Sequence, residues 1–167
     1  MSKIYVDEIA GIASPSTVAI PGHVIQVVTG SSTTSTDASS TSYTDNGLSA
    51  SITPSSTSSK ILVMINVSAQ AYRSDAAGHY GGLRIVRNDG SDTVVTTVDV
   101  ALGGLQGGVS SSRFRGICSV SELDSPASTN TITYRAQANV NSTSGSDTMI
   151  SQWNGSKSTI TLMEIAG

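Results

Sequence analysis

The chain has 167 residues, a net charge of −3 and only 13% charged residues, while 37% are hydrophobic. That length supports one domain with a real core, and the apolar content excludes a disordered chain although Ser and Thr supply 50 residues. The nine Lys and Arg are scattered singly, which excludes an electrostatic footprint for nucleic acid. With one Phe and one Trp, aliphatic residues must build the core.

Residues 1–22 read as an arm. Ile4, Val6 and Glu8 alternate with Tyr5, Asp7 and Ile9, a strand without a consistent apolar face, and Gly11, Pro15 and Pro21 then interrupt the chain. A single short strand leaves its backbone groups unpaired, so the arm is expected to pair with this domain, a neighbouring subunit or an anchoring structure. Ile4, Tyr5, Val6 and Ile9 are its docking candidates. The N-terminus lacks an apolar signal segment and no run reaches transmembrane length, so synthesis in the cytoplasm without signal-peptide secretion or membrane insertion is expected.

From His23 to residue 167 the pattern is that of one β domain. His23 to Val28 forms the first strand, and 29–40 a polar loop. A short strand is expected to end at Asp45-Asn46-Gly47, with a second from Leu48 to Ile52. After the Pro54 turn a long strand begins at Lys60. Ile61, Val63, Ile65, Val67, Ala69 and Ala71 share one of its faces, the period-two signature of a sheet packed on one side. Leu62 and Met64 make its first half apolar on both faces, as in a central strand.

The 73–82 segment is a loop of turn formers and polar groups. Leu83 to Arg87 and Thr93 to Ala101 form a hairpin around Asn88-Asp89-Gly90-Ser91. A Gly-rich loop covers 103–108, and further strands are expected near 111–121, 131–141, 148–153 and 158–165. The last places Ile160, Leu162 and Glu164 on one face and should close the sheet centrally. Eight to ten strands without a helix-period segment predict an all-β antiparallel sandwich or jelly roll with an extended N-terminal arm.

Catalytic patterns do not emerge. His23 and His79 stand in no metal-ligand spacing, and G-x-S-x-G is absent. Asp89 with Asp92 flanks a hairpin turn, where Asp serves backbone bonding, and Glu122 with Asp124 ends a strand. Neither pair is singled out for glycosidase chemistry. Cys118 is alone, forms no intrachain disulfide and reads as a small core residue. No enzymatic activity, cofactor or metal is expected.

The run at 42–63, SYTDNGLSASITPSSTSSKILV, resembles a module of tail-fibre-like structural proteins of tailed bacteriophages, notably marine and cyanobacterial phages. Residues 3–9 (KIYVDEI), 17–27 (TVAIPGHVIQV) and 158–165 (STITLMEI) resemble other parts of the same proteins. The resemblance implies a β-sandwich that trimerises and is displayed on a virion. Its partners would be itself, other virion proteins of the tail or capsid, and a host-surface glycan. Receptor contact would fall on loops, with Arg73, Asp75, His79 and Tyr80 as the candidate residues, seconded by 103–108. Two alternatives accompany this reading. One is a capsid decoration or cement protein; the other is a carbohydrate-binding module, for which Trp153 and Tyr80 are the available stacking platforms.

Overall fold

In the computed structural model, residues 22–74, 80–102, 112–141 and 147–167 are described. The run that starts at Lys60 forms the longest strand, β4 (Lys60–Arg73), preceded by β1 (Val24–Ser32), β2 (Thr36–Ala38) and β3 (Thr44–Ile52). The hairpin around Gly90 joins β5 (Gly81–Asn88) to β6 (Asp92–Leu102). Then follow β7 (Ser112–Asp124), β8 (Ile132–Val140), β9 (Thr148–Ser151) and β10 (Ser158–Ile165). A short 3-10 turn, Trp153–Gly155, separates the last two.

The strands form two antiparallel sheets. In the first, β10 lies between β1 and β4, and β7 flanks β4 on its other side. Beyond the end of β10, the C-terminal half of β4 pairs instead with β9, which pairs in turn with β2. The second sheet runs β3-β8-β5-β6. Without the two short strands, the orders β1-β10-β4-β7 and β3-β8-β5-β6 are the connectivity of a jelly roll.

The expected faces are in place. Ile61, Val63, Ile65, Val67, Ala69 and Ala71 are all buried, facing Leu83, Ile85, Ile132 and Tyr134 of the second sheet. Burying each large aliphatic side chain contributes about 1.5–3 kcal/mol relative to exposure. Ile160 and Leu162 fill the core from β10, which is central as anticipated. Cys118 is also buried, its thiol directed to the Ala101 carbonyl at 3.1 Å.

Two expectations are corrected. Asp45-Asn46-Gly47 does not end a strand, because β3 continues through it with a register irregularity between Asp45 and Ser49. Gly47 takes φ +78°, and the Asn46 carboxamide oxygen accepts from the Leu48 amide at 3.1 Å, so the turn formers bend the strand without stopping it. The 29–40 stretch is not all loop either. β1 runs on to Ser32 and β2 occupies Thr36–Ala38, because β10 and β9 supply backbone partners that no apolar alternation announces.

Candidate functional site

The topology sorts the connections to two ends of the sandwich. At one end lie Gly22, the 53–59 turn, the 89–91 hairpin and the C-terminus. There the Gly22 amide donates to the Ala166 carbonyl at 2.8 Å, and the Ala166 amide to the His23 carbonyl at 2.9 Å. At the opposite end stand Arg73, Tyr80, Leu102, Ser112, Asn141 and Asp147. Register pairs Arg73 with Ser112, and Gly81 with both Leu102 and Val140. The 14 residues of β4 separate the two ends by about 45 Å. The described flanks of the two recognition loops proposed from sequence, 73–82 and 103–108, are thus brought together, far from where residues 1–21 join the domain.

Individual candidates fare differently. Arg73 is buried and forms an ion pair with Asp147 at 3.1 Å, so it braces the loop bases and is not displayed for contact as expected. The cause is strand parity: it falls on the inward face of β4, after Ala69 and Ala71. Tyr80 keeps an exposed ring. Its amide donates to Asn141 Oδ1 at 2.9 Å, and its carbonyl accepts from the Asn141 amide at 3.1 Å. Asp75 and His79 lie outside the described residues, as do 103–108 and the arm candidates Ile4, Tyr5, Val6 and Ile9.

Two residues not singled out by sequence stand at this end. Arg113 and Arg115 share the outer face of β7. The Arg115 guanidinium lies 3.9 Å from the centroid of the Trp153 ring and donates to Gln70 Oε1 at 2.7 Å. Arg113 lies 5.1 Å from the centroid of Tyr72. Both are exposed, and neither has a carboxylate partner among the described residues. One indole face of Trp153 is thereby taken by a cation. The signal was the Arg-Phe-Arg spacing, which in a strand puts both cations on one face.

The outer face of the second sheet is different, because its charges are satisfied internally. Arg84 stacks 4.5 Å from the Tyr43 centroid and donates to Gln137, which donates to Asp45; Arg135 bridges Asp45 and Asp92. Partial burial and a hydrogen bond from its hydroxyl to Asp99 push the Tyr43 phenol up to about 12. The carboxylates paired in sequence serve similar ends. Asp124 accepts from Arg87 at 2.9 Å and from the Tyr134 hydroxyl at 2.8 Å, and Asp89 lies 3.4 Å from Arg87. Among the described residues no group of three or more His, Cys, Asp or Glu is arranged to hold a metal ion, and no helix is long and apolar enough to cross a membrane.

No protein-family model matches the chain, and no curated protein matches it. Among solved structures it is similar to infectious bursal disease virus, Gt strain, at 15% identity and a TM-score of 0.40, covering 100% of this chain and 43% of that one. T=1 particles derived from infectious bursal virus give 14% identity and a TM-score of 0.44, covering 96% and 41%. A subviral particle of infectious bursal disease virus gives 16% and 0.36, covering 85% and 38%. The chain therefore spans less than half the length of the chains it matches. At that level of likeness nothing about activity or partners transfers.

Proposed function

We propose that this chain is a non-enzymatic structural protein of a tailed-phage virion, a trimeric jelly roll of fibre or spike type attached to other virion proteins by its arm, residues 1–22. The observation that carries this reading is the polarity of the domain. The arm joins at Gly22, beside Ala166, while the flanks of the candidate recognition loops gather at the other end. An anchored end and a presented end are what a surface-displayed module requires. The presented end adds Arg113, Arg115 and the Tyr80 ring, groups suited to an anionic host-surface glycan.

A second reading, capsid decoration, is favoured by one feature. Gly22 leads directly into β1, and the sequence offers no shaft-like stretch between residues 1–22 and the sandwich, which suits a module lying close to a shell. Immunogold electron microscopy of the parent phage, with antibody raised against residues 23–167, separates the two. Label on the tail or its fibres is the expected result. Label spread over the head would replace the fibre reading with decoration, and unlabelled particles would remove the virion assignment.

A further inference from the structure

Eight large apolar side chains remain exposed among the described residues, and six of them sit on two strands. Val24, Ile25 and Val27 lie on β1, and Phe114, Ile117 and Leu123 on β7, each between 40% and 72% exposed. These strands are the opposite edges of the first sheet. Among the described residues β1 pairs only with β10, and β7 only with β4. Long open edges bearing apolar side chains invite aggregation unless something covers them.

We propose that what covers them is a second copy of this chain, docked head to tail, with the β1 flank of one copy against the β7 flank of the next. This deepens the assembly reading above and rests on it only for the number of copies.

Strand direction supports the pairing. β1 and β4 both run antiparallel to β10, and β7 runs antiparallel to β4, so β1 and β7 point in opposite directions. Rotation about an axis along the strands sets β1 of one copy antiparallel to β7 of the next without changing height. Heights then decide the fit. Register runs Val27, Met163, Leu62, Leu123 straight across the sheet, and the next level runs Thr29, Thr161, Met64, Ser121. The level beyond is Ser31, Thr159, Asn66, Ser119. Rotation therefore meets Val27 with Leu123, Thr29 with Ser121 and Ser31 with Ser119, apolar against apolar and hydroxyl against hydroxyl.

A two-fold contact of β7 with itself over its full length fits worse, since it sets Leu123 against Arg113. Heterologous contacts of the proposed kind close into rings when the rotation closes. Phe114 and Ile117 lie above the matched levels, as do Arg113 and Arg115, whose cations stay available at that end.

The test is thiol cross-linking of the full chain with a short bis-maleimide. The native Cys118 is buried, with its thiol pushed up to about 11, so the wild type is the unreactive control. Mixing V27C with L123C is expected to give a linked pair that neither variant forms alone. The V27C/L123C double variant should give a ladder ending in a closed ring. Dimers of V27C alone would mean a two-fold contact and overturn the proposal. Linkage of L123C to V6C in its place would mean that the arm covers this flank, and would also overturn it. Light scattering of the wild type separates the remaining cases: an oligomer without the V27C–L123C link sinks this interface but not the assembly reading. A linked ring absent from phage particles would sink the virion reading alone. L123E is expected to convert the oligomer wholly to monomer.

Discussion

At the scale of single residues, Glu164 shows how this fold uses a buried charge. It lies on the inward face of β10, fully buried, and accepts hydrogen bonds from the Ser55 amide and hydroxyl at 2.7 and 2.6 Å. Ser59 and Gln26 complete the set at 2.7 and 2.6 Å. Burial opposes ionisation, but these donors outweigh it and hold the carboxyl below its ordinary value. A folded value depressed in this way contributes stability above the unfolded value, and the contribution is lost as pH falls through the folded one. E164Q is therefore expected to lose about 2 kcal/mol near neutral pH, with the gap to wild type closing below about pH 4.5, as read by urea titration across pH. Gly30 gives a steric counterpart. A Cβ there would strike the Ser49 carbonyl on the facing sheet and press Ile160. G30A should cost about 2 kcal/mol by the same titration, and an unchanged midpoint would mean that the sheets can part at that corner.

Element by element, residues at the end carrying Arg73 and Tyr80 divide into a buried brace and exposed cations. R73A removes one partner of a buried ion pair and should cost about 3 kcal/mol, lowering Tm by roughly 6–12 °C. R113A/R115A removes two exposed stacking contacts and the Arg115–Gln70 hydrogen bond, and should cost about 1 kcal/mol while reducing retention on an anionic glycan surface. Equal losses of stability from the two variants would contradict this division. The same contrast marks what was legible in the sequence. Alternation from Ile61 to Ala71 and the Asn88–Ser91 turn are local patterns, so the β4 face and the β5–β6 hairpin were readable. The burial of Arg73 depends on Asp147, 74 positions away, and the latch on Glu164 on Gln26, 138 away. Composition near Arg73 looked like an exposed loop because nothing local announces a distant carboxylate. β2 and the end of β1 were missed for a related reason: their pairing is carried by backbone groups, which Ser and Thr neither advertise nor prevent.

For the whole molecule, the attachment proposed for residues 1–22 and the recognition proposed for the opposite end can be tested separately. Among the described residues, both sheets, the core and the bonds joining Gly22 and His23 to Ala166 lie within residues 22–167. A chain starting at Gly22, which retains all of these, is expected to keep its Tm within about 2 °C. Its incorporation into particles, followed by immunoblot of purified virions, should be lost. The R113A/R115A chain should behave in the opposite way, incorporated at the wild-type level but giving slower adsorption to host cells. Each variant thus controls for the other, since a folding defect would lower both readouts together. Truncated chains found on particles in full amount would move attachment from residues 1–21 to the jelly roll itself.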